Sequence, residues 1–124
     1  MMYLKTFRQL VVWREAKNLC LKIYQVTKNF PRDEIYALVS QLRRAAYSII
    51  ATIAEGNERK TVKDRLNFLN FAKSSLVELD CLLELSFELK YITNEEHKKI
   101  LDQLNKVAFL LNKFSESQKS LKSL

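Results

Sequence analysis

One glycine and one proline in 124 residues constrain this chain more than any other feature. A sheet protein of this length needs many tight turns, and glycine and proline make those turns at least cost. A chain nearly free of both is suited to long uninterrupted helices. The apolar spacing agrees. Val12, Ala16, Leu19, Ile23 and Val26 recur in steps of four and three, as do Ile35, Val39, Leu42, Ala46, Ile49 and Ile53. So do Leu69, Ala72, Leu76, Leu79 and Leu83, and then Ile100, Leu104, Val107, Leu111 and Phe114. Each set lines one side of a helix.

Local punctuation places the boundaries. Pro31 cannot continue the first helix but can open the next, and Gly56 reads as a C-terminal stop for the second. Thr61 with Asp64, and Thr93 with Glu96, have the spacing of capping boxes. The predicted helices cover about 7–29, 33–55, 62–90 and 94–117, with a frayed tail after them. Short connections between four helices of similar length predict a single domain over 1–124. Its fold class is all-α, an antiparallel up-down-up-down four-helix bundle.

A chain of this length can bury a core without disulfides or metals. Cys20 and Cys81 fall in apolar helical register and read as buried free thiols, with a disulfide between them as the alternative. The opening MMYLKTFRQLVVWREA lacks the apolar run of a signal peptide, and no segment approaches the roughly 18 apolar residues of a membrane span. A cytoplasmic location away from the membrane is the expectation.

Catalytic chemistry finds few candidates. Bundles that hold two metal ions use Glu-x-x-His pairs, but His97 is the single histidine and Asn94 stands three residues before it. His97 reads as a surface or seam residue in the first turn of the fourth helix. Neither cysteine has a neighbouring histidine to act as a base, and one glycine cannot make a glycine-rich phosphate loop. The acidic pairs Asp33/Glu34 and Glu95/Glu96 sit at helix starts, where the helix dipole favours them. No catalytic residue, metal ligand or cofactor is expected, and the protein reads as non-enzymatic.

Charge points to an anionic partner. The formal net charge is +7. The bundle topology brings Lys5, Arg8, Arg59, Lys60, Lys63, Arg65, Lys119 and Lys122 to one end, against Glu55, Glu58, Asp64 and Glu116. At the other end Lys28, Arg32, Lys90, Lys98 and Lys99 balance Asp33, Glu34, Glu88, Glu95 and Glu96. The excess therefore centres on the RKTVKDR loop. Phosphate contacts are expected from Arg59, Lys60, Lys63 and Arg65, joined by Arg43 and Arg44 of the second helix. No aromatic residue lies within that loop to stack a base.

The side of the second helix away from its seam is unusual. It carries Ala37, Gln41, Arg44, Ser48, Ala51 and Glu55, with Ser40, Ala45 and Thr52 beside them, and no lysine occurs from Asp33 to Glu55. Small residues let another helix approach, so Ala37, Gln41, Arg44, Ser48, Ala51, Thr52 and Glu55 are the candidate oligomer interface. Arg43 borders the core, whereas Arg44 faces outward and needs a carboxylate or phosphate.

Four short runs together carry a family resemblance: VWREA, FPRDEIYAL, QLRRA and IAEG. The residues involved are Trp13, Ala16, Phe30, Pro31, Glu34, Tyr36, Leu38, Gln41, Leu42, Arg43, Arg44, Ala45, Ile53, Ala54, Glu55 and Gly56. In these the chain resembles the bacterial four-helix-bundle proteins encoded in 23S rRNA intervening sequences, some of which are grouped as ribosomal proteins. The accessory variability determinant of diversity-generating retroelements shares that fold. The resemblance covers about Leu10 to Ile92. It implies a homopentameric ring with a basic surface, association with RNA or DNA, and, for the retroelement relatives, binding to a reverse transcriptase. It implies no catalytic activity. Two positions depart from the pattern: Thr52 stands where the family usually has Asn, and Ser74 where it often has Gly. The expectation is an oligomeric RNA-binding protein, with a protein-interaction scaffold as the alternative.

Overall fold

A computed structural model describes residues 6–122. Its four helices are α1 (Val11–Thr27), α2 (Ser40–Asn57), α3 (Val62–Glu88) and α4 (Asn94–Lys122). A short 3-10 turn, Thr6–Gln9, precedes α1. A second, Arg32–Glu34, leads into a π-helical segment, Ile35–Val39, that runs straight into α2. Each helix packs on two neighbours, α1 on α2 and α4, and α3 on α2 and α4. Side-chain pairs run in opposite order along the partners. Arg44 meets Glu78 and Ser48 meets Ser75 across α2 and α3. Arg65 meets Gln118 and Phe87 stacks on His97 across α3 and α4. The result is an all-α four-helix bundle.

The seams form the core. Leu19, Ile23, Leu42, Ile49, Ile53, Leu79, Leu83 and Val107 are fully buried. Two seam positions depart: Phe114 is half-buried, and Ile35 is 45 % exposed. A π turn takes up an extra residue, so Ile35 no longer stands over Val39 and Leu42 as an α turn would place it. Ala45, expected beside the outer face, is instead fully buried.

Caps fix the connections. Thr61 Oγ1 accepts from the Asp64 N–H at 3.1 Å. At α4 the box is reciprocal: Thr93 Oγ1 accepts from Glu96 N–H, and Glu96 Oε1 accepts from Thr93 N–H. Helix α3 ends in a Schellman motif. The Tyr91 N–H reaches Ser86 O at 3.0 Å, and the Lys90 N–H reaches Phe87 O at 2.9 Å. Lys90 takes φ 65° there, the left-handed conformation that glycine adopts without strain. Lys90→Gly is therefore expected to stabilise the fold by about 0.5–1 kcal/mol, read as a higher midpoint in urea.

Several expectations are corrected. Gly56 does not stop α2; it lies within the helix with no positive φ, and Glu58 is the C-cap. Its job is close approach, because a Cβ there would meet Phe68 Cβ at 2.9 Å. The expected frayed tail is helical to Lys122, since Phe114 and Gln118 still have contacts within the bundle. Cys20 is buried, and burial pushes its thiol pKa up, but Cys81 is exposed. Of the two places expected for His97, surface or seam, it takes the seam, buried against Phe87.

Candidate nucleic-acid interface

The α2–α3 junction gathers the basic loop. Helix α2 closes at Asn57, and Thr61 opens α3 only four residues later. Lys60 and Lys63 are exposed, and among the described residues neither makes an ion pair. Their neighbours are held in place. Arg65 Nε donates to the Arg59 carbonyl at 2.8 Å, and its Nη1 donates to Gln118 Oε1 at 3.5 Å. The Arg59 guanidinium lies 4.3 Å from the centre of the Phe68 ring. Loop and helix starts are thus tied together while the two lysines point into solvent.

Sequence reasoning missed the aromatic groups at this end. Phe68 belongs to the second turn of α3 and reaches back beneath Arg59. Phe7 shares a cavity with Ala54, Glu55, Glu58 and Arg59. The only sequence signal for Phe68 was its distance of about two turns from the cap at Thr61, which brings its side chain back toward the loop. Of the cations expected at this end, Lys5 lies outside the described residues, as does the side chain of Lys122. Lys119 pairs with Glu116 at 3.1 Å.

The two adjacent arginines do not join this end. Arg44 Nη2 lies 2.7 Å from Glu78 Oε2, so its anionic partner is supplied within the chain. Arg43 is half-buried near the start of α2 and donates to Thr27 Oγ1 at 2.9 Å and to the Tyr24 carbonyl at 3.3 Å. Sixteen residues of mostly helical chain put it about 24 Å from Arg59.

Comparison with known proteins draws on the whole of this frame. The family model for the 23S rRNA-intervening sequence protein matches residues 8–113, from before α1 to deep in α4. The chain belongs to the 23S rRNA-intervening sequence protein family. A similar solved structure is that of a protein with unknown function from the S23 ribosomal protein family of Bacteroides thetaiotaomicron VPI-5482. It is 26% identical, with a TM-score of 0.76 over 85% of this chain and 98% of that one. No curated protein matches.

In this member of the 23S rRNA-intervening sequence protein family the candidate interface residues divide into two groups. Ala37 of the π-helical segment and Gln41, Ala51 and Glu55 of α2 are exposed, with Gln41 Oε1 accepting from Arg44 Nη2 at 3.3 Å. Arg44, Ser48 and Thr52 already have partners within the chain. The Ser48 hydroxyl accepts from Ser75 Oγ at 3.0 Å, and Thr52 Oγ1 donates back to the Ser48 carbonyl at 2.7 Å. Thr52, one of the two departures from the family pattern, thus satisfies its hydroxyl within its own helix. Tyr47 of α2 and Phe71 and Leu85 of α3 are also exposed. Among the described residues no helix is long and apolar enough to cross a membrane. Among the described residues, no group of three or more His, Cys, Asp or Glu could hold a metal ion.

Proposed function

We propose that this protein is a non-enzymatic, oligomeric nucleic-acid-binding protein whose ligand is structured RNA. The observation that carries the reading is the pair Lys60 and Lys63. Both are exposed and make no ion pair among the described residues, Lys60 in the loop and Lys63 in the first turn of capped α3, beside an arginine stacked on an aromatic ring. Lys63 supports the reading further, because it lies in the first turn of α3, where the helix dipole disfavours a cation. A phosphate bound there would offset that cost. The exposed apolar residues of α2 and α3 favour assembly of several copies, and a ring multiplies weak phosphate contacts. The family resemblance gives five as the expected number.

The test is a salt titration with a fluorescent RNA hairpin. Affinity is expected to fall steeply between low and moderate salt, as bound counterions are released by each phosphate contact. A flat salt response would sink the RNA reading. Light scattering of the same samples should give a mass near five times 14.6 kDa. A single 14.6 kDa species at micromolar concentration would remove the oligomer.

A further inference from the structure

The corner where α1 meets α2 carries a second charged feature, remote from the basic loop. A cavity of about 370 Å³ opens there. Three cations line it, Lys28, Arg32 and Arg43, together with apolar Phe30, Ile35 and Val39, and no carboxylate does. Formal charge at this end balances along the chain, which hides the local segregation that packing creates.

Arg43 is the least compensated group. Its hydrogen-bond partners, the Thr27 hydroxyl and the Tyr24 carbonyl, are both neutral, and it lies over the Tyr24 ring at 4.7 Å. Among the described residues its Nη1 forms no hydrogen bond. Arg44, the next residue, has Glu78 at 2.7 Å. Lys28 and Arg32 are exposed and likewise make no ion pair among the described residues. Two acids lie on the adjoining turn. Glu34 is occupied, accepting from Tyr91 Oη at 2.9 Å and from the Leu38 N–H at 3.4 Å. Asp33 is exposed and makes no ion pair with these cations. Asp33, Glu34 and about half a negative charge at the C-terminus of α1 offset the three cations in part, but among the described residues neither carboxylate lines the cavity or pairs with them.

We infer that this cavity binds a carboxylate side chain next to an apolar one, in an acidic–apolar segment of a partner protein. The cations provide the carboxylate site, and the fork of Arg43 suits it. The apolar wall selects against a bare phosphate, which has no group to place there. Ile35 is 45 % exposed and Tyr36, beside it, is 95 % exposed, so the apolar surface continues beyond the cavity mouth. The π turn that displaces Ile35 from the core is what builds this wall. The site stands about 24 Å from the RNA loop, several screening lengths away, and the inference does not depend on the RNA reading.

The test is an NMR titration of the isotope-labelled full chain with acetyl-Glu-Leu-Glu-Phe-amide. Resonances of Thr27, Arg32 and the Arg43 Nε–H should shift and saturate. The glutamine counterpart of the peptide and sodium phosphate should each bind at least tenfold more weakly. Lys28→Glu with Arg32→Glu should reduce peptide affinity at least tenfold at an unchanged unfolding midpoint, which avoids removing the Arg43 contacts that join α1 to α2. Absence of a saturable shift overturns the inference, and so does equal binding of the glutamine peptide. Phosphate binding as tightly as the acidic peptide also overturns it, and would make the corner a second phosphate site.

Discussion

Replacing Lys60 and Lys63 together by glutamate is expected to lower RNA affinity at least about tenfold at moderate salt. It should also reduce the salt slope by about one for each phosphate that the loop no longer neutralises. Stability should not fall with it. Neither lysine forms an ion pair among the described residues, so no ion pair of the fold depends on them. At position 63 the change is favourable, because an acid in the first turn of α3 meets the positive end of the helix dipole, worth about 0.3–1 kcal/mol. Binding measured by fluorescence anisotropy and unfolding by circular dichroism should therefore move apart. Unchanged RNA affinity in the double variant would take the interface away from this loop.

The second large effect is on the fold itself. Gly56→Leu is expected to destabilise the bundle by about 3 kcal/mol, a fall in midpoint on the order of 10 °C at matched protein concentration. Gly56 is buried within α2, and a Cβ there would sit 2.9 Å from Phe68 Cβ and 3.4 Å from the Arg65 carbonyl. Neither neighbour is the flexible end of a side chain. The clash must be relieved by moving α3 away from α2. Gly56→Ala is a useful comparator, because its gain of about 1 kcal/mol in helix propensity offsets part of the smaller clash. A leucine variant as stable as the parent would show that α2 and α3 do not approach closely at this point. The same displacement would shift Arg59 and Phe68, so the leucine variant should also bind RNA less well.

Much of this architecture was legible in the residues. The four apolar seams predicted four helices, and nearly every seam residue is buried. The capping box predicted at Thr93 forms in full, and at Thr61 its hydroxyl half forms. These are local effects: helix period and capping depend on residues within a turn or two of one another. The misplacements share a different cause. A regular α period predicts Ile35 on the seam, and one π turn shifts it outward. The backbone freedom of Gly56 predicts a helix stop, whereas its role is set by Phe68 on α3. The outward side of α2 predicts Ser48 for an oligomer interface, and its hydroxyl also meets Ser75 of α3 within the chain.

The candidate site was legible in part. Its loop and its lysines stand next to one another in sequence, so their clustering needed no fold. Phe68 under Arg59, and the division of the two arginines, needed one. The residues are adjacent, but 100° on a helix sends Arg44 to Glu78 on α3 and Arg43 to the end of α1.

The sequence by itself determined the number of helices, their buried sides, their caps and the location of the densest positive charge. These follow from periodicity and from groups close together along the chain. Only the tertiary structure decided which cations are compensated across helices. The Lys119–Glu116 pair forms within one turn of α4, but the Arg44–Glu78 pair depends on which helix lies opposite and joins residues 34 positions apart. Arg44 has its carboxylate, Lys60 and Lys63 have none among the described residues, and Arg43 faces a cavity with two further cations. Those three environments arise from one stretch of chain, and the packing of its neighbours separates them.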